Sequence, residues 1–255
     1  LSSFKPDEVI PWMVGFNISK KEPVFVAGDF VTYPRIRKRP LIRNNSTGTA
    51  CHSSVQKAIL TGIFEVIERD AFMLTWLQKL SMPVIDTSSL PRNIQKQKDW
   101  LYSLGFQLYL VDITSDLGIP TVLGVLRNIK SEWPALFIGA STNLNPLQAI
   151  KKAIVELEMQ LLITLQSSQE EYLDLNSKNI IDQHRNFYFM HENAKKCNFL
   201  IDSKQSVNFL KKHKAPKKNK LEYVLSRLSN KGFSVIGIDL STQELQDLGL
   251  KTFKI

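Results

Sequence analysis

Apolar positions along the chain follow two periods in alternation. Over residues 55–80, Ala58, Ile59, Ile63, Val66, Ile67, Phe72 and Met73 recur at helical spacing, which predicts a long amphipathic helix. Ser53 or Ser54 stands where an N-cap belongs, and Pro83 closes the pattern because it has no N–H to continue a helix. A second helix is predicted over 91–104, with Gly105 just past its end, where a left-handed backbone costs glycine nothing. The runs 106–113, 121–127 and 136–140 are rich in β-branched and aromatic residues and read as strands. Asn145-Pro146 then opens another long helix, to about Gln166, as N-cap and first helical residue. Residues 24–31 read as a strand in a Pro-punctuated region, 221–229 as a helix and 233–240 as a strand. The aromatic runs 187–190 and 199–201 are assigned to short strands.

The pattern repeats itself. Leu104-Gly105-Phe106 leads to Asp112-Ile113-Thr114, and Lys231-Gly232-Phe233 leads to Asp239-Leu240-Ser241. The long helices correspond too: Ala58-Ile59, Gly62-Ile63 and Glu65 align with Ala149-Ile150, Ala153-Ile154 and Glu156. The fold class expected is therefore α/β (α+β), two related helix–strand units packing helices on mixed β-sheets.

Composition narrows the setting. A chain of 255 residues that is 43% hydrophobic can bury a substantial core. No apolar run approaches the ~18 residues of a membrane span, and the first residues lack the basic-then-apolar order of a signal peptide. The two cysteines, Cys51 and Cys197, stand apart from any CxxC or Cys/His cluster. They read as free thiols in a reducing, cytoplasmic compartment, with no membrane association. The net charge of +9 is concentrated in residues 35–43 and 211–220. The first run is Arg-rich, suited to phosphate or carboxylate; the second reads as a solvated loop. A nucleic-acid-binding module is the weakest reading, because no helix-turn-helix or aromatic-basic stripe accompanies the charge.

Candidate chemistry sits on the first long helix. Glu65 and Glu68 are three residues apart and Arg69 is four from Glu65, so the three share a face. Adjacent carboxylates repel unless a cation lies between them. Mg2+ takes oxygen ligands and bridges carboxylates to phosphates, while arginine suits a phosphate oxygen. The plain alternative is an exposed Glu65–Arg69 ion pair worth a few tenths of a kcal/mol. Apolar flanks at Ile63, Phe64, Val66, Ile67, Ala71 and Phe72 argue for burial instead, where charges need partners.

Ser46-Thr47-Gly48-Thr49-Ala50, then Ala58, Gly62 and Glu65-Val66-Ile67-Glu68-Arg69-Asp70-Ala71-Phe72, resemble the signature of the YcaO family. The helix after Gly139-Ala140, with Asn145-Pro146, Ala149, Ala153 and Glu156, resembles the family's second conserved helix. Residues 233–249 resemble the run near its C-terminal end. The resemblance implies an ATP- and Mg2+-dependent enzyme that phosphorylates a peptide amide oxygen after a nucleophile has attacked the carbonyl carbon. It implies cyclodehydration of Cys, Ser or Thr to azolines in a ribosomally made precursor peptide. The alternatives are thioamide formation or a catalytically weak scaffold. Carried over, Glu65 and Glu68 bind the metal, and Ser46, Thr47, Ser53, Arg69 and Glu156 contact the nucleotide. The partner implied is an E1-like leader-binding protein or a TfuA-like protein, and a homodimer is among the assemblies allowed. The chain departs from the pattern at Thr47, at Cys51-His52, at Lys57 where an acid is expected, and at Met159 and Leu161, with Gln160 adjacent. It reads as a single domain over 1–255, incomplete at both ends, lacking the family's upstream nucleotide helix and C-terminal tail.

Overall fold

The computed structural model describes residues 9–32, 41–42, 45–130, 132–166, 180–216 and 219–255. These fall into two compact units, 1–69 with 216–255, and 70–215.

The first unit is built on an antiparallel sheet ordered β2-β1-β9-β10-β3. Its strands are β1 (Trp12–Asn17), β2 (Glu22–Ala27), β3 (Thr49–His52), β9 (Ile236–Asp239) and β10 (Lys251–Lys254). β2 stops at Ala27, where a 3-10 turn, Gly28–Phe30, takes over, so the strand expected to reach residue 31 is shorter. β10 pairs with β3 in the register Phe253–Ala50 and with β9 in the register Phe253–Asp239. Helix α1 (Val55–Leu77) belongs to this unit as far as Arg69. It begins where predicted, with Ser54 Oγ accepting the Lys57 N–H at 3.4 Å. It ends three residues short of expectation, and Lys79 adopts φ 50 beyond it. The helix before β9 runs Lys220–Ser229, capped by Asn219 through the Glu222 N–H.

The second unit holds a sheet ordered β7-β6-β5-β4-β8. Its strands are β4 (Val84–Ile85), β5 (Phe106–Asp112), β6 (Thr121–Asn128), β7 (Leu136–Thr142) and β8 (Ser206–Val207). Only the β4–β8 pairing is parallel. Side chains alternate between two cores, as pleating requires. Phe106, Leu108, Leu110, Val122, Leu126 and Phe137 face α2 (Arg92–Ser103) and α3 (Pro146–Leu165). Val111, Leu123, Val125 and Leu136 face the other way, onto Ala71, Ala194, Cys197 and Leu200. Asn145 caps α3 as predicted, accepting the Leu147 and Gln148 N–H groups.

Two sequence expectations fail in this unit. Residues 187–190, expected as a strand, lie largely in helix α4 (Ile180–Phe189). Residues 199–201, also expected as a strand, fall mostly in a 3-10 helix, Lys195–Leu200. The run 187–190 buries side chains in opposite directions, Phe189 in one core and Tyr188 in the other, whereas Phe199, Leu200 and Ile201 all join the second of these cores. Residues 187–190 are aromatic or apolar without interruption, so the end of this helix mimics a buried strand. The cationic residues of the 35–43 cluster lie outside the described residues, as do Lys217 and Lys218. The second basic run is not wholly solvated: Lys212 and His213 reach the buried Asp112 at 2.6 and 3.2 Å.

Candidate functional site

The turn at 45–48 lies against α1 because two glycines permit it. Gly48 sits at φ +81, and a Cβ there would come within 2.5 Å of the Ile255 carbonyl oxygen. A Cβ on Gly62, one helical turn before Glu65, would lie 2.6 Å from Ile255 Cγ1 and 2.7 Å from the Gly48 carbonyl oxygen. No side chain larger than hydrogen fits such approaches without a shift.

Four hydrogen bonds from three anchors then fix the turn. The Gly48 N–H donates to Glu65 Oε2 at 3.1 Å, and the Ile255 N–H donates to the Gly48 carbonyl at 2.9 Å. The third anchor is the Lys254 ammonium, which donates to the carbonyls of Thr47 at 2.6 Å and Asn45 at 3.0 Å. These carbonyls flank Ser46, which stays exposed. Lys254 itself is only 6% exposed. Burial pushes its ammonium below the usual lysine range, and the nearby Glu65 carboxylate opposes that shift. Sequence reasoning missed Lys254, because a lysine in a short terminal strand is ordinarily solvated and its partners lie over 200 residues away.

α1 buries one face only. Ala58, Ile59, Ile63, Ile67 and Ala71 are buried, while Val66 is 38% exposed, so the helix is less enclosed than its apolar flanks suggested. Glu68 is largely covered, with 14% of its side chain exposed, whereas Arg69 is half exposed. The Arg69–Glu68 separation is 3.9 Å, a loose pair that leaves the guanidinium donors available to an anion. The Glu65–Arg69 ion pair weighed as the plain alternative does not appear among the described residues: Glu65 bonds Gly48 and Arg69 pairs with Glu68. Ser53 lies at the helix start, its N–H donating to His52 Nδ1 at 2.7 Å. Lys57 is exposed on the first turn. Ser46, Thr47, Ser53, Glu65, Glu68 and Arg69 thus fall in the first unit. Glu156 lies in the second, where its Oε2 accepts the Ala140 N–H at 2.9 Å.

Among the described residues, no group of three or more His, Cys, Asp or Glu could hold a metal unaided. The donor set still suits magnesium brought by a nucleotide, which needs one or two carboxylates and completes its shell with water and phosphate oxygens. Glu65 has one oxygen committed to Gly48 and a second to offer, and Glu68 stands one turn further on.

A profile described as "YcaO cyclodehydratase, ATP- and Mg2+-binding" matches residues 1–255. The chain belongs to the YcaO family. It is 30% identical over 182 residues to a protein in the tfuA 3′ region of Rhizobium leguminosarum bv. trifolii. That match takes in 66% of this chain and 43% of the relative, so the chain spans less than half the length of this curated relative. A heterocyclase solved in complex with substrate and cofactor superposes with a TM-score of 0.85, covering 99% of this chain and 33% of that one at 21% identity. The YcaO protein of Methanopyrus kandleri, solved with AMPPCP and Mg2+, superposes with a TM-score of 0.78 at 16% identity, covering 100% and 65%. At such identities the likeness is one of fold, and the mixed α/β architecture of this chain is that of YcaO heterocyclases. The family is ATP- and Mg2+-binding. No helix among the described residues is long and apolar enough to cross a membrane.

Proposed function

We propose that this chain forms part of an ATP-dependent enzyme that activates peptide-backbone amides for cyclodehydration. The observation that carries the reading is the turn around Ser46, clamped onto α1 beside Glu65, Glu68 and Arg69. In this reading Ser46 and Thr47 contact the nucleotide, with Ser53 at the helix start beside them. Arg69 meets the phosphates, and Glu65 with Glu68 holds the metal. Mg2+ bound with the nucleotide supplies neutralisation of charge on the phosphoryl group in transfer. Glu156 enters as a strut, since its Oε2 already serves Ala140.

The reaction proposed begins when a side-chain thiol or hydroxyl of the precursor peptide adds to the preceding carbonyl carbon. The resulting oxyanion takes the γ-phosphoryl group of ATP, releasing ADP. Cleavage of the C–O bond then expels phosphate and leaves the C=N bond of an azoline as the amide nitrogen gives up its proton. The chain's part is to hold the phosphates in line and to offset their charge with Arg69. Titration of Mg2+-ATP into full-length protein, with phosphate release measured on addition of precursor peptide, tests this. Binding abolished by Glu68→Gln supports it, and absence of nucleotide binding by the wild type sinks it.

A second reading keeps the site and changes the nucleophile. The relative in the tfuA 3′ region favours a TfuA-like partner and external sulfide, giving a thioamide. Mass spectrometry separates the two: dehydration removes water, whereas thioamidation exchanges oxygen for sulfur.

A further inference from the structure

A constant offset of 91 residues carries the β3–α1 region onto β7–α3. It takes Gly48 to Gly139, Ser54 to Asn145, Gly62 to Ala153 and Glu65 to Glu156. The same offset takes Thr47 to Ile138 and Arg69 to Gln160. In the second copy Gln160 Nε2 donates to the Ile138 carbonyl at 3.1 Å, so a side chain of α3 satisfies the backbone ahead of the clamped glycine. In the first copy the corresponding carbonyl, that of Thr47, is satisfied from elsewhere, by Lys254 of β10 at 2.6 Å. The Arg69 side chain is then half exposed, its recorded ion partner the neighbouring Glu68 at 3.9 Å.

We infer that Lys254 is a positioning residue: by taking the Thr47 and Asn45 carbonyls it releases Arg69 from the backbone-bonding duty that Gln160 performs in the second copy. The inference rests on reading Ser46–Arg69 as the nucleotide site. A carbonyl in a partly buried turn must find a donor. With Lys254 absent, the nearest analogue in the second copy shows which α1 position would supply one. Arg69 would turn inward to Thr47, and its guanidinium would be lost to the phosphates.

The test is calorimetric titration of Mg2+-AMPPCP into full-length wild type, Lys254→Met, Lys254→Arg, Arg69→Ala and the Lys254→Met/Arg69→Ala double variant. The wild type binds. Lys254→Met is expected to weaken binding about tenfold, and Lys254→Arg, which can serve both carbonyls, to recover most of it. Because Lys254 acts through Arg69, its effect should shrink to less than about threefold in the Arg69→Ala background. A merely structural role would give additive losses. If the wild type does not bind, the nucleotide reading falls. If it binds and Lys254→Met matches it, or the two losses add, the role of Lys254 falls alone. Should Lys254→Met not fold, Lys254→Gln takes its place in the same cycle, with coupling or additivity read in the same way.

Discussion

The β3–α1 and β7–α3 regions are two versions of one device, and their difference bears on where the proposed nucleotide site lies. In both, a helix follows a strand and a glutamate of the helix accepts a backbone N–H from that strand or the residue before it: Glu65 from Gly48, just ahead of β3, and Glu156 from Ala140, within β7. The acceptor bond has slipped by one residue between copies, but the device is the same. A carboxylate shared by both copies is therefore first a structural part. What separates them is the surrounding set. The first copy has an exposed serine in its turn, Glu68, a half-exposed Arg69 and an imported lysine. The second has Met159, Gln160 and Leu161 at or beside those places, with Leu161 fully buried and Gln160 spent on backbone. From sequence, Met159 and Leu161 read as departures from the family pattern and Glu156 as a nucleotide contact. Leu161 is packed into the core, while Glu156 and Gln160 bond the backbone of β7.

Glutamine substitution breaks this comparison most directly, because a carboxamide oxygen can still accept the N–H while carrying no charge. Glu156→Gln should leave stability within about 0.5 kcal/mol and nucleotide affinity unchanged. Glu65→Gln should fold as well, yet lose about 100-fold in Mg2+-nucleotide affinity, the upper end of what removing even a supporting partner of a metal site costs. Calorimetry and chemical denaturation on the same samples read both quantities. Equal affinities for the two variants would mean that Glu65 is only a strut.

Closeness of packing is the next difference. Gly62 corresponds to Ala153, so Gly62→Ala writes the second copy's residue into the first. The new Cβ meets Ile255 Cγ1 at 2.6 Å and the Gly48 carbonyl at 2.7 Å, and one of these is backbone. A loss of about 3 kcal/mol is expected, despite alanine's better helix propensity. The urea midpoint measures it, and a gain in stability would show that the turn yields easily.

How much of this could be read in advance differs between the copies for a physical reason. Helix α3 was legible in full: Asn145-Pro146 encodes its start locally, and Asn145 caps as expected. Glu65, Glu68 and Arg69 were legible as a shared face, since three- and four-residue spacings are local. The Glu65–Gly48 bond was not, because it depends on glycines that matter only once turn and helix meet. β4 and β8 were missed because two-residue strands are defined by their long-range partners rather than their own pattern. The helix at 180–189 was misread because its aromatics serve two cores. Asp112 accepts the Thr114 N–H locally; its bonds to Lys212 and His213 span a hundred residues and left no trace in the sequence pattern.

The two units should also answer differently to pH. Burial pushes the Asp112 carboxyl up, but hydrogen bonds from His213, Lys212 and Thr114 outweigh that and hold it at about 2. Its folded value lies below the unfolded one, so its contribution is present above about pH 4 and is lost as pH falls toward 2. The shift corresponds to about 2 kcal/mol. Lys254 in the first unit is lowered from the lysine range by burial. A cation depressed on folding makes stability rise with pH through the window between its folded value and the ordinary 10.5. Melting curves of Asp112→Asn and Lys254→Met against wild type should therefore diverge at opposite ends of the pH scale. Divergence of both at the acid end would contradict the assignment.

The gentlest probe is covalent and reads the two units separately. Cys51 is exposed on β3, at the place that Thr142 holds in the second copy. Cys197 is buried in the second unit, and burial pushes its thiol up to about 12. Since the thiolate is the reactive form, a disulfide reagent at pH 8 should modify Cys51 rapidly in the native protein and leave Cys197 untouched. Addition of urea should expose the second thiol with the unfolding of 70–215. Nucleotide offers a finer version, because Cys51 and Gly48 lie in one short segment whose turn is clamped to α1. Mg2+-AMPPCP bound over that segment should slow labelling of the exposed Cys51 by covering it. An unchanged rate with bound nucleotide would place the ligand away from the Ser46 turn.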